Sequence, residues 1–538
     1  MSADQYLWWQ SGVIYQIYPR SFKDNSGDGI GDLAGIIGQL DYLNWLGIDA
    51  IWLSPFYPSP MADFGYDITN FTDVDPVFGN LRDFDRMVKE AHSRNIKVIV
   101  DFVPNHTSDE HPWFKEASAS RSSPKHDWYI WADPGPGGEP PNNWMSHFGG
   151  SLNGSAWEYN VELNQYYLHT FHFKQPDLNW RNNEVRQAMY GVMRFWLNRG
   201  VDGFRIDVMP FLIKDDQLRD NPFNPDWKPG DAVHHKLIRV YSEDRPETHE
   251  IVQEMRCIAE EYSERVLIGE IYLPYPRLVR YYGENLNETH LPFNFELILL
   301  KEWQAAKVCE LVNTYEATLP AGAWPNWVLG NHDNSRPATR LGEAQTRIAQ
   351  MLLLTLRGTP TFYYGDEIGM TDVPIPPELA FDPQEKSSPG HGRDPARTPM
   401  QWDSSPNAGF CPPGVKPWLP VSNDYAHINV AVEQDAPYSV LNLVHELVAL
   451  RRASPALSTG SYSAVESGTE NSFCYLRESD GQRFLIALNF SDRDVPLSLS
   501  QFVQGTIVLS TLLDRRGGVN LASFNLRGNE GLLILLQG

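Results

Sequence analysis

Gly200-Val201-Asp202-Gly203-Phe204-Arg205-Ile206-Asp207-Val208 is a short apolar stretch with an arginine and an aspartate two positions apart. Residues two apart on a strand share a face, so Arg205 and Asp207 point the same way out of an otherwise greasy segment. One reading is an ion pair that ends a strand, since buried charges are paired. The other is that Asp207 is a nucleophile kept ionised by Arg205. The surroundings of this stretch decide between them.

On either side, strand-like and helix-like patterns alternate. Val13 to Arg20, Ala50 to Pro55 and Lys97 to Val103 read as strands, with helical periodicity over Leu33 to Leu46 and Leu81 to Arg94. After the opening stretch and its preceding helix, Asn183 to Arg199, come a helix from Glu247 to Arg265 and strands at Val266 to Glu270, Leu291 to Phe295, Trp327 to Asp333 and Pro360 to Glu367. A helix from about Tyr438 to Leu457 completes the series. Eight such strands predict an α/β fold of the (β/α)8 TIM-barrel type, whose active site belongs at the C-terminal ends of the strands.

Two segments break the alternation. From Thr107 to about Phe173 the chain is loop-rich and aromatic, too long for a connector. From Ser458 onward, short alternating runs replace helical periodicity. The expected organisation is therefore barrel over 1–106, an inserted subdomain after strand 3 over 107–173, barrel again over 174–457, and a C-terminal antiparallel β domain over 458–538.

Composition bounds the partners. A net charge of -24 repels phosphate backbones and anionic lipid, so neither nucleic acid nor membrane is expected. With 17 Trp, 24 Tyr and 25 Phe, the chain has many flat faces on which a sugar ring can stack. Cys257, Cys309, Cys411 and Cys474 have no Cys-x-x-Cys spacing and read as reduced thiols. Met1 to Gly12 lacks the basic and apolar regions of a signal peptide, and no run of eighteen apolar residues occurs, so a cytoplasmic location is expected.

The loop after the first strand places oxygen donors at alternate positions: Asp24, Ser26, Asp28 and Asp32, with the Ile30 carbonyl between the last two. That alternation suits a hard divalent cation, calcium or magnesium, although the bidentate glutamate of a full EF-hand is missing. No organic cofactor is signalled.

Asp207, Glu270 and Asp333 all fall at strand ends, with His106 and His332 at the same level. Hydrolysis of a glycosidic bond needs one carboxylate as nucleophile and one carboxylic acid to protonate the leaving oxygen. Asp207, beside Arg205, has the setting of an ionised nucleophile. Glu270, emerging from Val266-Leu267-Ile268-Gly269, has the setting that raises a pKa. Asp333 is left to hold sugar hydroxyls.

These residues sit in DFVPNH (101–106), GFRIDV (203–208), GEIY (269–272) and NHDN (331–334), joined by QPDLNW (175–180). Together they make the chain similar to glycoside hydrolase family 13, the α-amylase clan, and within it to the oligo-1,6-glucosidase and bacterial α-glucosidase branch. The resemblance implies Asp207 as nucleophile, Glu270 as general acid and base, and Asp333 as transition-state stabiliser. It also implies that Asp63, Tyr66, His106, Arg205 and His332 close around the nonreducing glucose, with Asp63 and an arginine blocking the far end. Arg397 is preferred for that arginine, though nothing in the sequence excludes Arg393. The resemblance further implies a structural ion in the 24–32 loop, where Ser26 replaces a common asparagine.

A pocket blocked at one end implies a retaining, exo-acting α-glucosidase that acts on short α-glucosides such as maltose and also transglucosylates. It would work as a monomer or weak homodimer. Val208, directly after Asp207, is the residue typical of α-1,6 enzymes in this branch. The long loop 214–227 is similar to that of α-1,4 enzymes, and the balance is read as α-1,4. Isomaltose hydrolysis, or a sucrose or trehalulose-type hydrolase or isomerase, are the alternatives. A non-catalytic transporter-ancillary homologue is a remote one, since this chain has all three acids.

Overall fold

Eight short apolar strands, each pairing in parallel with its sequence neighbour or nearest available one, build the centre of the molecule. A computed structural model describes residues 6–148, 154–387 and 390–537; positions 1–5, 149–153, 388–389 and 538 of the expected segments lie outside the described residues. The strands are β1 (Ile14–Ile17), β2 (Ala50–Leu53), β3 (Lys97–Phe102), β4 (Gly203–Ile206), β5 (Val266–Gly269), β6 (Leu291–Pro292), β7 (Asn326–Val328) and β8 (Thr359–Tyr363). Their order in the sheet is β7-β8-β1-β2-β3-β4-β5-β6, which is the chain order wrapped into a cycle. At the remaining seam the Asn294 amide donates to Asn326 Oδ1 at 3.4 Å, so the sheet is a nearly closed barrel.

The strands are buried along their length, which is why they read as apolar runs and not as alternating patterns. Gly203 opens β4 for a steric reason: a Cβ there would meet Val266 of β5 at 2.4 Å. All the strands are shorter than the apolar runs suggested. Pro19–Phe22, for instance, is already a helical turn, and β7 ends at Val328. Asp207 and Glu270 therefore come directly after their strands, their amides still donating to the carbonyls of Phe102 (2.8 Å) and Ile206 (2.9 Å), and Asp333 lies in a turn beyond β7.

The long helices cover the barrel: α1 (Leu33–Gly38), α2 (Leu40–Leu46), α3 (Leu81–Ser93), α4 (Asn183–Asn198), α5 (Pro246–Glu260), α6 (Ala305–Thr318), α7 (Glu343–Thr355) and α8 (Val440–Ala453). The single helix expected over Leu33 to Leu46 is broken at Gln39, whose φ of -109° and ψ of 3° leave the helical region. The one expected over Tyr438 to Leu457 stops at Ser454, which precedes a proline and is held extended, as proline requires of its neighbour.

Between β3 and α4 the chain forms a small antiparallel sheet of Trp131–Ala132, Gln165–Leu168 and Trp157–Asn160 around its own cluster of Trp144, Ala156, Trp157, Tyr166 and Leu168. After α8 comes a six-stranded antiparallel sheet between Ser461 and Leu536, with a two-stranded ribbon beside it. Arg477 anchors this sheet to the barrel: its guanidinium donates to the carbonyls of Thr355 (2.6 Å) at the end of α7, Gly460 (3.0 Å) and Ser461 (3.2 Å). No helix among the described residues is long and apolar enough to cross a membrane.

Candidate active site

Asp101 on β3 and Arg205 on β4 are register partners, so their side chains emerge side by side. Arg205, 1 % exposed, donates from Nη1 to Asp101 Oδ1 and to Asp207 Oδ1, both at 2.7 Å, and from Nη2 to Glu270 Oε2 at 2.8 Å. One guanidinium thus holds three carboxylates from three strand ends. The indole of Trp52 and the ring of Tyr66 lie against it, 5.3 and 5.9 Å from its central carbon. Asp101 is held in turn by Trp52 Nε1 and Tyr66 Oη, each 3.2 Å from Oδ2.

This sharing revises the expectation that Arg205 serves Asp207 alone. Burial pushes Asp207 and Glu270 above the usual carboxylate range; Arg205 opposes the shift, and neighbouring carboxylates reinforce it. Burial likewise lifts Asp101 to about 6 against the pull of Arg205. With carboxylates outnumbering the cation, Asp207 and Glu270 take up protons as a pair. Glu270 has the second ionising contact, an amide at 2.8 Å from Val208. That amide is aimed by a backbone at φ 39° and ψ 43°, a left-handed conformation that a β-branched residue adopts only at a cost of about 1–3 kcal/mol.

A second arginine closes the opposite end. Arg393 donates to Asp63 Oδ1 (2.7 Å), to both oxygens of Asp382 (2.7 and 2.9 Å) and to Asp333 Oδ1 (3.2 Å), with Phe148 under its guanidinium at 4.9 Å. The arginine paired with Asp63 is therefore Arg393 and not the preferred Arg397. Arg397 reaches Asp333 Oδ1 (3.1 Å) and the His332 carbonyl (2.7 Å), and lies over Tyr18. Both guanidinium groups reach the same oxygen of Asp333, but across the short helical turn at Asp394–Ala396 only that of Arg393 also reaches Asp63.

Asp63 Oδ2 accepts from Gln175 Nε2 at 3.1 Å, and the same amide lies 3.1 Å from His106. His332 accepts from Gln16 Nε2 at Nδ1 (2.8 Å), so its Nε2–H faces Tyr66 Oη (2.7 Å) and Asp333 Oδ2 (3.3 Å). Burial lowers His332 to about 3 and His106 to about 4, so both are neutral donors and acceptors at neutral pH. Asp333 is the opposite case: burial alone would raise it, but His332, Arg393 and Arg397 hold it well below the usual carboxylate range. It is held ionised, whereas burial pushes Asp207 and Glu270 the other way.

The structure thus gathers Asp63, Tyr66, His106, Arg205, Asp207, Glu270, His332, Asp333 and Arg397 in one cradle. Asp101, Gln175 and Asp382 belong to it too and were not singled out in the sequence. The first two lie inside DFVPNH and QPDLNW, where their motif positions were a signal; Asp382 carried none. Nearby, the buried Lys214 ammonium ties the loop after β4 to the two flanks of the insertion through Asp177 Oδ2 (2.7 Å) and Asn105 Oδ1 (2.8 Å).

Residues 24–32 stand apart, against the segment after Phe410. Asp24 accepts from the amides of Gly27 (2.6 Å) and Gly29 (2.9 Å), and Asp32 from those of Asn25, Ser26 and Gly35. Among the described residues no group of three or more His, Cys, Asp or Glu converges as a metal site.

This geometry defines a class of protein, one that binds a sugar between paired carboxylates. The alpha-amylase catalytic-domain model matches residues 16–460. A probable alpha-glucosidase of Rhizobium meliloti is 40 % identical, covering 94 % of each chain, and an oligo-1,6-glucosidase of Parageobacillus thermoglucosidasius is 39 % identical over 90 % of this chain and 91 % of that one. Among solved structures, the alpha-glucosyl transfer enzyme XgtA is 40 % identical with a TM-score of 0.93, covering 99 % of this chain and 100 % of that one. The trehalulose synthase MutB is 35 % identical at a TM-score of 0.88, with the same coverage. The chain belongs to the alpha-amylase family of glycoside hydrolases.

Asp101 touches the cradle only through Arg205, Trp52 and Tyr66. Asp101→Asn removes one charge-assisted hydrogen bond from Arg205, worth about 1.5–3 kcal/mol, so kcat/KM should fall roughly ten- to a hundredfold. An unchanged rate in steady-state kinetics would contradict the coupling of Asp101 to the acids through Arg205.

Proposed function

We propose that the chain is a retaining, exo-acting α-glucosidase that releases glucose from the nonreducing end of short α-glucosides such as maltose. The observation that carries this reading is a cradle whose far end is closed by the Asp63–Arg393 pair, while Asp207 and Glu270 share one guanidinium at the other. Two carboxylates on one planar fork suit the separation of about 5–5.5 Å used by retaining glycosidases, with no room left for a water between nucleophile and sugar. The names of the relatives support the same reading.

In the first step Asp207 attacks the anomeric carbon and forms an ester with it. The bond to the leaving oxygen breaks as Glu270 gives that oxygen its proton. In the second step Glu270 takes a proton from water, the water oxygen bonds to the anomeric carbon, and the Asp207 carboxylate departs. Asp333, held ionised, binds the ring hydroxyls; the neutral His106 and His332 supply further hydrogen bonds. A sugar or alcohol in place of water gives transglucosylation.

We read the linkage preference as α-1,4, on the loop 214–227, with Val208 as the feature that speaks for α-1,6. Trehalulose synthesis, the activity in the name of the MutB neighbour, would need water kept from the glucosyl ester. A product analysis with maltose, isomaltose, sucrose and trehalose, read by NMR at the first turnover, tests the reading. The α-anomer of glucose from maltose is expected; β-glucose, or cleavage within a longer chain, contradicts it.

We also propose a cytoplasmic protein, monomeric or weakly dimeric; all four cysteines are free thiols. A calcium or magnesium ion on Asp24, Ser26, Asp28, the Ile30 carbonyl and Asp32 is proposed as structural. The carboxylate oxygens that already accept amides keep lone pairs for it. Adding calcium to chelator-treated protein should raise Tm by a few degrees without changing kcat; no shift with either ion argues against the site.

A further inference from the structure

We infer that Gln16, on β1, is a positioning residue for the acids: it fixes which ring nitrogen of His332 carries the hydrogen, and with it the direction of a hydrogen-bond chain that runs across the barrel mouth to Arg205. The inference rests on the α-glucosidase reading of the site and deepens it, since the chain ends on the guanidinium that Asp207 and Glu270 share.

Gln16 is fully buried and is a register partner of Trp52 on β2 and Tyr363 on β8. Its Nε2 donates to Ser54 Oγ at 3.0 Å and to His332 Nδ1 at 2.8 Å, while its Oε1 has no partner among the described residues. A buried amide oxygen left unbonded needs a reason. Turned round, the amide would set its oxygen against Nδ1, and the imidazole would have to carry its hydrogen there. Nε2 would then face Asp333 Oδ2, 3.3 Å away, with a lone pair. Asp333 is held ionised and can only accept, so two acceptors would confront each other in a buried site. With the amide nitrogen on Nδ1, Nε2 is the donor and the conflict is gone.

The other contacts then run in one direction. The Nε2 hydrogen faces Tyr66 Oη at 2.7 Å, Tyr66 gives its own hydrogen to Asp101 Oδ2 at 3.2 Å, and Asp101 Oδ1 accepts from Arg205 at 2.7 Å. The Gln16 N–H also occupies the position that a second imidazole proton would need, so it keeps the ring neutral. Burial and the charges of Arg397, Arg205 and Arg393 act in the same sense, while Asp333 acts against them. Tyr66 and Tyr18, whose rings lie against the imidazole, are kept un-ionised by their own burial. A neutral ring leaves Asp333 without an imidazolium partner and available to sugar hydroxyls.

The test places a carboxylate where the amide stands. In Gln16→Glu the introduced group and His332 keep the hydrogen on Nε2 for as long as they hold one extra proton between them, whether as carboxylic acid or as imidazolium. Once that proton is lost, the carboxylate draws the remaining hydrogen to Nδ1, and Nε2 turns its lone pair on Asp333. On a nitrophenyl α-glucoside, kcat/KM of the variant should stay near wild type at the acid end and fall about ten- to a hundredfold as pH rises, the value of one hydrogen bond to a charged group. This new limb should lie below the alkaline limb of the wild type. Gln16→Met, which brings neither charge nor donor, should lower kcat/KM by one factor at every pH. Histidine-selective nitrogen NMR of the wild type, with the His332 signal identified by its loss in His332→Asn, should show the hydrogen on Nε2. A Gln16→Glu profile parallel to that of the wild type, or a hydrogen on Nδ1 in the wild type, overturns the role of Gln16 alone. A wild type inert on every α-glucoside overturns the α-glucosidase reading, and the NMR result then decides for or against Gln16 by itself.

Discussion

A single buried guanidinium shared by three carboxylates is the constraint on which the rest of this site depends. Arg205 has no route to solvent, so its charge must be compensated inside the barrel, and Asp101, Asp207 and Glu270 do this from three adjacent strand ends. The compensation overshoots. With more negative than positive charge in a dry space, the acids hold protons that exposed carboxylates would lose, and this is the state a glycosidase acid must be in before it acts. The parallel register of β3 with β4, and of β4 with β5, is what makes the sharing geometrically available.

The far end of the cradle sets two cations against its three carboxylates. Arg393 and Arg397 bracket Asp333 and hold it ionised, while Asp63 and Asp382 absorb the rest of the Arg393 fork. A carboxylate held below its usual range a short distance from two pushed above theirs gives the site a gradient of acidity along the sugar. The closed end then fixes which way round the sugar lies. Chemistry and exo-action thus follow from one arginine shared at the acids and two at the closed end.

Much of this was legible in the sequence. Strands buried on both faces leave continuous apolar runs, and the acids stand where those runs end, so the barrel and the positions of Asp207, Glu270 and Asp333 could be read directly. What could not be read depends on backbone turns. Arg393 and Arg397 are four residues apart and chemically identical, and only the turn between them decides which reaches Asp63. Asp382 lies in none of the motifs, and only the folding back of the chain between it and Arg393 brings it to the cradle. Val208 reads as a linkage marker, yet its left-handed backbone, which no local pattern announces, gives Glu270 an amide. The break at Gln39 was hidden because the apolar spacing of Leu33 to Leu46 continues across it.

The central claim is that Asp207, and not one of the other acids on or near Arg205, forms the bond to the sugar. A slow substrate such as 5-fluoro-α-glucosyl fluoride, followed by proteolysis and mass spectrometry, tests it most directly. The account predicts one fluoroglucosyl group per chain, carried on the peptide at Asp207. A label on Glu270, Asp101 or Asp333, or complete turnover of the fluoride with inversion and no label, would contradict it.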